Sequence, residues 1–209
     1  GLAVDQRAAK RVMDILISGI GIIITSPIML IIAIAVKAYD RGPVFYFQDR
    51  LTLGGKPFKI CKFRSMCVDS EKNGARLASK HDSRITPVGH VLRNLHLDEL
   101  PQLFNVFKGD MSLVGPRPER ESIMLEYEKE LPEFYYRLKV KAGLTGYAQV
   151  YGKYNTTPYD KLKLDLFYIE NYSFLLDIKL IFMTVKIFFQ KEVSEGVDDR
   201  QVNALKDSG

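Results

Sequence analysis

The feature that most constrains the fold is an uncharged apolar run near the N-terminus. No charged residue occurs in positions 15–36, where Ile and Leu dominate. A straight helix of this length would measure roughly 33 Å at 1.5 Å per residue, enough to cross a bilayer core of about 30 Å. The polar segment that follows, Lys37-Ala38-Tyr39-Asp40, is not a small-residue cleavage site. The run therefore predicts a helix that enters a membrane and not a cleaved signal peptide.

Two features of the apolar run argue against a simple crossing of the membrane. Near its middle lies Ser26-Pro27, where the proline removes a backbone donor and should kink the helix, while the Ser26 hydroxyl can bond a freed carbonyl. Positive charges flank both ends, so both ends favour the cytoplasm under the positive-inside rule. From the residues alone, a re-entrant helix–break–helix, a plain single span and a buried soluble helix all stay open. The flanking cations are Arg7, Lys10 and Arg11 before the run and Lys37 and Arg41 after it.

Composition sets the scale of the fold and narrows the function classes. The chain has 209 residues, of which 46% are hydrophobic, which is enough for one domain with a core. Its net charge of +5 suits nucleic acid, an anionic membrane surface or a phosphorylated substrate, and the uncharged run argues against nucleic acid. Two cysteines, Cys61 and Cys67, are too few for a disulfide framework or a zinc site. The sequence contains no Walker loop and no GxGxxG motif.

The pattern after the apolar run predicts an α+β fold that is mostly helical. Residues 44–47 and 58–63 have the composition of two strands of a small β-hairpin. Residues 160–171 and 174–189 have the spacing of amphipathic helices, and the wide aromatic face of the second fits a helix in the membrane interface as well as an ordinary core helix. The basic residues that the hairpin can turn toward lipid headgroups, a phosphate or solvent are Arg50, Lys59, Lys62 and Arg64.

Two adjacent acids interrupt an apolar stretch near the middle of the chain. A helix is predicted over residues 100–107, with Pro101 in its first turn. This prediction places Asp98 and Glu99 at a helix N-terminus, where unpaired amides and the helix dipole favour negative charge. The residues alone therefore allow Asp98 to be an N-cap without chemistry, as well as a reactive carboxylate. The whole stretch is Leu95-His96-Leu97-Asp98-Glu99-Leu100-Pro101-Gln102.

A rigid arginine follows the acids. Prolines on both sides hold Arg117 in an extended backbone, within Val114-Gly115-Pro116-Arg117-Pro118. A guanidinium fixed in this way suits a bidentate grip on phosphate, and a loop arginine bound to a carboxylate is the alternative. The later segment 141–147 is basic and punctuated by glycines, a weak signal for an anion cradle.

Short motifs occur in a fixed order over almost the whole chain. Together they resemble the bacterial sugar transferases known as monotopic phosphoglycosyl transferases, and it is the ordered set that is specific, not any one motif. The motifs are Lys10-Arg11-x-x-Asp14, Ser26-Pro27, Gly42-Pro43-Val44, Gln48-x-Arg50, Lys62-Phe63-Arg64-Ser65-Met66, Leu97-Asp98-Glu99-Leu100-Pro101-Gln102, Gly109-Asp110-Met111-Ser112-Leu113-Val114-Gly115-Pro116-Arg117-Pro118, Gly143-Leu144-Thr145-Gly146-Tyr147-Ala148-Gln149-Val150 and Tyr168-Ile169-Glu170-Asn171.

The resemblance implies a reaction and a role for each matching residue. A sugar-1-phosphate would move from a UDP-sugar to polyprenyl (undecaprenyl) phosphate, giving a polyprenyl diphosphate sugar and UMP. Asp98 matches the attacking carboxylate that forms an aspartyl–phosphosugar intermediate, and Glu99 matches its partner in the acid dyad. Mg²⁺ is expected near this dyad, with Asp98 and Glu99 as its candidate ligands. Arg93 and Arg117 match arginines that bind phosphate.

The chemistry of the residues agrees with these implied roles. A carboxylate that attacks a diphosphate approaches negative charge, which Mg²⁺ and arginines offset. Two neighbouring acids can also bind a hard cation through oxygen, which magnesium prefers. Three positions depart from the family pattern: His96 replaces a more usual serine, Ala142 replaces a proline, and Lys153 replaces an arginine. Lys153 keeps the charge without the guanidinium fork, so it is a further candidate for binding the donor phosphate.

The resemblance also implies a domain organisation. We expect a re-entrant membrane helix broken at Ser26-Pro27 with its flanks (residues 1–40), a cytoplasmic catalytic region (41–192) that forms one domain with this helix, and a polar C-terminal tail (193–209). Several short sequence motifs are most similar to those of the larger family members, which implies that this chain is the catalytic core of a longer protein. Those members often start exopolysaccharide or capsule repeat units on a hexose phosphate, at the cytoplasmic face of the bacterial inner membrane.

Several points stay open in the sequence. The donor is expected to be a UDP-hexose, with a UDP-N-acetyl sugar as the alternative. A non-enzymatic membrane-surface module that holds a partner through its basic hairpin is the competing function. The expected partners are the UDP-sugar, polyprenyl phosphate and inner-membrane lipid, without nucleic acid, and a homodimer is one assembly that the sequence leaves open.

Overall fold

The computed structural model describes residues 3–68, 82–152 and 156–189. The described part is mostly helical with little strand, as predicted. The helices are α1 (Val4–Asp40), α2 (Pro87–Asn94), α3 (Gln102–Lys108), α4 (Glu121–Glu130), α5 (Tyr147–Tyr151), α6 (Pro158–Glu170) and α7 (Phe174–Phe189). The strands are β1 (Phe45–Leu51), β2 (Pro57–Phe63), β3 (Ser112–Val114) and β4 (Gly143–Thr145). Short 3-10 segments cover Leu53–Gly55, Leu97–Glu99 and Pro132–Lys139.

The apolar run lies within α1, one helix that contains Pro27 in its interior. Pro27 cannot donate to the carbonyl of Ile23 four residues back, and the Ser26 hydroxyl donates to that carbonyl at 2.8 Å, as the sequence predicted. Of the most apolar 18-residue window of α1, 17% is buried. The alternative of a buried soluble helix is therefore wrong, and α1 is long and apolar enough to cross a membrane. The re-entrant course stays a prediction.

Small residues of α1 form the surface against which α3 packs. A Cβ added at Gly19 would lie 3.4 Å from the ring of Phe107, and one added at Gly21 would lie 3.3 Å from Leu103. A methyl group at either glycine would already touch a side chain of α3, so the two helices are in close contact there. The apolar faces of the two helices are thus joined directly, while Phe107 stays half-exposed beside α1.

Both ends of α1 bond to the same folded body. Near its N-terminal end, Asp14 accepts hydrogen bonds from the Ser112 hydroxyl at 3.0 Å and the Leu113 amide at 2.9 Å, at the start of β3. At its C-terminal end, Asp40 forms a salt bridge with Arg64, the residue after β2. The polar flanks on both sides of the apolar run are therefore fixed to one structure.

Four strands form two separate pairs. β1 and β2 form the predicted antiparallel hairpin, with Phe45 opposite Phe63. β3 and β4 pair in parallel, which the sequence did not predict. A Cβ at Gly143 or at Gly146 would lie 2.1 Å from the backbone of Gly115, so neither position admits a side chain. Gly143 and Gly146 therefore serve close packing of this segment against the Gly115 backbone.

The main core lies where α3, β3, α6 and α7 meet. Val106, Val114, Tyr168 and Leu180 are almost wholly inaccessible to solvent. The helices predicted at residues 160–171 and 174–189 occur as α6 and α7, and their position in a membrane interface stays a prediction. The C-terminal tail predicted at residues 193–209 lies outside the described residues.

Candidate active site

The acid pair lies in the 3-10 segment Leu97–Glu99, immediately after His96, whose φ of 52° is left-handed. The predicted position in the first turn of the next helix is wrong. α3 begins at Gln102 with Pro101 as its N-cap, and no side chain caps it. The reason is that the amide of Glu99 bonds back to His96, which closes a separate turn before α3. The plain capping role for Asp98 is therefore excluded.

Glu99 is fixed by two cations. Its Oε1 accepts a hydrogen bond from Lys62 Nζ at 2.8 Å and one from an Arg117 guanidinium nitrogen at 2.6 Å. Burial favours the neutral acid, but Arg117 and Lys62 outweigh that effect and hold the pKa of Glu99 well below its usual range. Glu99 in turn raises the pKa of Arg117. Glu99 is therefore an ionised carboxylate that orients both cations.

Asp98 differs from its neighbour because it has no such partner. The residue is buried, and none of the residues in the described ranges donates a hydrogen bond to its carboxylate. Burial, and then the negative charge of Glu99, raise the pKa of Asp98, while Lys62 and Arg93 lower it to a smaller extent. A carboxylate that is poorly hydrated and unbonded is a better nucleophile than one engaged in hydrogen bonds.

The other predicted phosphate-binding residues have different outcomes. Arg93, on α2, donates from Nε to the Ser65 hydroxyl at 2.9 Å, and it contributes favourably to the charged form of Asp98. The structure therefore brings Arg93 and Arg117 to the same acid pair from two different elements. Lys153 lies outside the described residues.

The loop that carries Arg117 is held from behind. Arg137 donates to the Arg117 carbonyl at 2.9 Å, and Arg50 donates to the Pro118 carbonyl at 3.0 Å. These two bonds fix the backbone on either side of Pro118. The Arg117 backbone is therefore held in the position from which its guanidinium reaches Glu99. The expectation that a rigid backbone holds Arg117 has this physical basis.

A buried charge network fixes Arg137 itself. Its Nε donates to Asp165 of α6 at 2.6 Å, and both side chains are almost fully buried. A second carboxylate, Glu119, lies 3.7 Å from Arg137 and also forms an ion pair with Lys161. Every carboxylate in this network has a cationic partner.

Lys62 is a site residue that the sequence interpretation placed on a generic basic surface of the hairpin. Its contact with Glu99 depends on the register of β2 against the acid turn, which no local pattern reveals. The other hairpin cations have structural partners: Arg64 pairs with Asp40, and Arg50 bonds the Pro118 loop. Only Lys59 is largely exposed, beside Asp49. The ordered motif containing Lys62 was the one available signal.

The acid pair is a candidate site for a divalent cation. Within the described ranges, no cluster of three or more His, Cys, Asp or Glu side chains forms an all-protein metal cage. Mg²⁺ usually takes one or two carboxylates and completes its shell with water and substrate phosphates. Both oxygens of Asp98 and Oε2 of Glu99 accept no hydrogen bond from the described residues, so this pair fits a cation shared with a phosphorylated substrate.

Comparison with known proteins gives consistent matches. The model of the family described as bacterial sugar transferase matches residues 5–191. The UDP-N-acetylgalactosamine-undecaprenyl-phosphate N-acetylgalactosaminephosphotransferase of Aeromonas hydrophila is 46% identical over 180 residues, covering 85% of this chain and 43% of that protein. The UDP-glucose:undecaprenyl-phosphate glucose-1-phosphate transferase of Klebsiella pneumoniae is 45% identical over 181 residues, covering 84% and 39%. The protein of the same name from Escherichia coli (strain K12) is 41% identical over 185 residues, covering 86% and 40%.

This chain spans about two-fifths of the length of those three relatives. The matched part includes the apolar helix, the acid pair and both arginines that converge on it. The match over residues 5–191 and the identity of 41–46% establish that the chain belongs to the bacterial sugar transferase family.

Proposed function

We propose that this chain transfers a sugar-1-phosphate from a UDP-sugar to polyprenyl phosphate, with UMP and a polyprenyl diphosphate sugar as products. The observation that carries the proposal is the contrast between two adjacent acids. Asp98 is buried and accepts no hydrogen bond from residues 3–68, 82–152 or 156–189, while Glu99 is bonded to Lys62 and Arg117. This arrangement leaves one carboxylate free to react beside cations that can hold phosphate oxygens. The names of the relatives support the same reaction class.

In the first half-reaction, an oxygen of Asp98 attacks the phosphorus that bears the sugar. A new Asp98 O–P bond forms, the bond from that phosphorus to the bridging oxygen breaks, and UMP leaves with the electron pair. Arg117 and Lys62 lie where they can stabilise charge on the transferring group and on the leaving phosphate. Glu99 keeps these two cations in position without competing for the phosphorus.

In the second half-reaction, an oxygen of polyprenyl phosphate attacks the phosphorus of the aspartyl–phosphosugar. The Asp98 O–P bond breaks, which regenerates the carboxylate and releases the polyprenyl diphosphate sugar. A covalent intermediate divides the transfer into two steps. The soluble donor can therefore leave before the lipid acceptor arrives, and one shallow site serves both.

Mg²⁺ is proposed as the cofactor, with Asp98 and Oε2 of Glu99 as the protein ligands. The bound cation would neutralise charge on the diphosphate oxygens. EDTA should abolish UMP release and added MgCl₂ should restore it. Full activity after chelation would contradict the proposed cofactor, without affecting the assignment of the nucleophile.

The membrane helix is proposed to be re-entrant. Because Asp14 and Asp40 at the two ends of α1 bond to the same folded body, an arrangement with both ends on one side of the bilayer retains both sets of contacts. The positive flanks favour the cytoplasmic side for both ends. This geometry supports an inner-membrane location with the acid pair at the cytoplasmic face.

Cysteine labelling tests this course of α1. Single cysteines would be introduced as Val4→Cys and Ala38→Cys in a Cys61→Ser/Cys67→Ser background, and labelled in sealed, right-side-out vesicles with an impermeant maleimide. Both positions should stay protected until the vesicles are opened. Labelling of one of the two in sealed vesicles would indicate a single span.

We also propose the identity of the donor sugar and the step of polysaccharide assembly at which this chain acts. The names of the three relatives specify different sugars, glucose in two cases and N-acetylgalactosamine in one. We propose a UDP-hexose donor and the first membrane step of exopolysaccharide, capsule or glycoconjugate assembly. Purified protein given Mg²⁺ and undecaprenyl phosphate should release UMP from at least one of UDP-glucose, UDP-galactose and their N-acetyl forms. A folded protein that released UMP from none would favour the non-enzymatic membrane module.

A further inference from the structure

A cavity lies beside the C-terminal end of α3, the end farther from the acid pair. Its volume of about 420 Å³ is within the range of ligand-binding pockets. The N-terminal turns of α1, the start of β3 and the backbone at residues 139–141 form its wall. The charged residues in the wall are Arg7, Lys10, Arg11, Asp14, Lys139 and Lys141. Five cations and one acid therefore surround this space.

The acid and one cation in this wall already have partners. Lys10 forms a buried salt bridge with Asp177 of α7. Asp14 accepts from Ser112 and Leu113, which fixes α1 to β3. Lys10 is therefore neutralised by Asp177, and Asp14 is the one carboxylate of this wall that offsets the other four cations.

Two further cations bond only to neutral carbonyls. Arg11 donates to the carbonyls of Val106 at 2.8 Å and Phe107 at 2.7 Å, and Lys141 donates to the carbonyl of Gly109 at 2.7 Å. These carbonyls end α3, and a helix C-terminus supplies only about half a negative charge. The positive charge of the pair is therefore not balanced by α3.

The remaining two cations stand at the mouth of the cavity. Arg7 and Lys139 are exposed, and neither forms an ion pair with a carboxylate of the described residues. Burial, followed by repulsion from Arg11, lowers the pKa of Lys141. The bonds to the last carbonyls of α3 account for the positions of Arg11 and Lys141. They do not account for the open cavity or for Arg7 and Lys139 at its mouth. An anion of phosphate size placed between the four would relieve this repulsion.

We propose that this basic cavity binds the phosphate group of an anionic lipid. Apolar side chains at the cavity itself favour a lipid as the source of the phosphate. Leu53 lines the cavity and is 36% exposed, and Phe107, whose carbonyl accepts from Arg11, is 46% exposed. A lipid can place its headgroup in the cavity and its chains along these side chains. A free phosphate has no acyl chains that could cover these apolar side chains.

This lipid site is separate from the donor site. The acid pair precedes the first turn of α3, whereas Arg11 contacts its last turn. A bound headgroup would hold the N-terminal end of α1 at the membrane surface. The proposal concerns binding alone and does not depend on the transferase reaction.

Native mass spectrometry of the full chain in a neutral detergent tests the proposal. The probes are phosphatidylglycerol, phosphatidylcholine with the same acyl chains, undecaprenyl phosphate and inorganic phosphate. The wild-type protein should retain one anionic lipid and retain phosphatidylcholine much less. Arg7→Gln/Lys139→Gln should weaken retention roughly tenfold, because two cations near an anionic headgroup are removed.

Matched variants separate the site from general charge. Lys129→Gln/Lys163→Gln removes the same charge from exposed positions on α4 and α6 and should retain lipid like wild type. Arg7→Lys/Lys139→Arg keeps both positive charges and should retain the anionic lipid like wild type. Equal retention of phosphatidylcholine, or equal loss in both Gln pairs, would overturn the proposal. Inorganic phosphate at millimolar concentration that displaced the lipid completely would also overturn it, because the site would then recognise phosphate without its chains.

Discussion

Two charge clusters on opposite sides of the Arg117 loop use the same residue types with different results. In the scaffold cluster, Arg137 and Lys161 supply a cationic partner for each carboxylate. In the site cluster, Lys62 and Arg117 both bond to Glu99, and none of the described residues donates to Asp98. Within the described part of the chain, both scaffold acids are paired, whereas one of the two site acids is not.

This difference separates stability from chemistry. A fully paired buried network holds a backbone in place, and breaking it is costly because a charge is then left alone. Burial raises the pKa of both Asp98 and Asp165, and among the described residues only Asp165 has a cation that donates to it, so the two acids differ in their pairing. The two clusters meet at Arg117, whose carbonyl bonds to Arg137 while its guanidinium bonds to Glu99. The scaffold therefore positions the cation that serves the site.

The largest expected effect comes from removing the unpaired acid. Asp98→Asn should reduce UMP release by at least about 10³-fold, because the nucleophile is lost. The midpoint of thermal unfolding should stay equal or rise, since an ionised buried carboxylate with a raised pKa destabilises the fold. Circular dichroism and the UMP assay measure the two properties on the same sample. A clearly destabilised variant with substantial activity would reverse the assignment of the two clusters.

The paired acid of the scaffold should behave in the opposite way. Asp165→Asn should lower the free energy of unfolding by about 3–5 kcal/mol, because the buried Arg137 loses its partner. Activity per folded molecule should stay within about threefold of wild type at low temperature, where the fold persists. Denaturant titration and active-site counting separate the two quantities. A stable variant that lost all activity would place Asp165 in the chemistry.

The cation shared by both clusters should give an intermediate effect. Arg117→Lys keeps the charge but loses the fork that can bond Glu99 and a phosphate together. The expected loss in kcat/KM is about 10–100-fold, the value of one charged hydrogen bond of about 1.5–3 kcal/mol. Lys161→Arg is the matched exchange in the scaffold and should leave kcat/KM near wild type. Equal effects of the two exchanges would remove the distinction between the clusters.

The smallest effect is a shift in the pH profile. Activity should fall as pH falls through the pKa of Asp98, which lies above the usual aspartate range because of burial and the charge of Glu99. Glu99→Gln removes that charge, so the acid limb of its residual kcat/KM should move to lower pH. Lys62→Met removes a cation that lowers the pKa, so its acid limb should move to higher pH. Shifts in the same direction for both variants would contradict this electrostatic account.

Prediction from sequence succeeded where the signal was local. The apolar run, the Ser26 bond that replaces the donor missing at Pro27, and the hairpin follow from composition and spacing. Ordered motifs point to the acid pair and Arg117, and the structure brings Arg117 to Glu99, while their catalytic roles stay predictions. All of these lie within short stretches whose own residues fix the conformation.

Prediction failed where position depends on distant segments. Lys62 reaches Glu99 only because β2 lies beside the acid turn, which no neighbouring residue encodes. β3 and β4 are three residues long, too short for an alternating pattern, and they pair across an intervening helix and 3-10 segment. The sequence pattern places the acid turn at the start of a helix, because the nearby Pro101 suits a helix N-terminus as well as a preceding turn, whereas α3 begins at Gln102.

The most direct test of the account is the intact mass of the protein after brief incubation with UDP-sugar and Mg²⁺ in the absence of lipid acceptor. We predict one added phosphosugar per chain, released UMP in equal amount, and an adduct that maps to Asp98 and disappears when undecaprenyl phosphate is added. Asp98→Asn should show no adduct. Rapid UMP release that required the acceptor and left the protein mass unchanged would contradict the claim that Asp98 is the nucleophile.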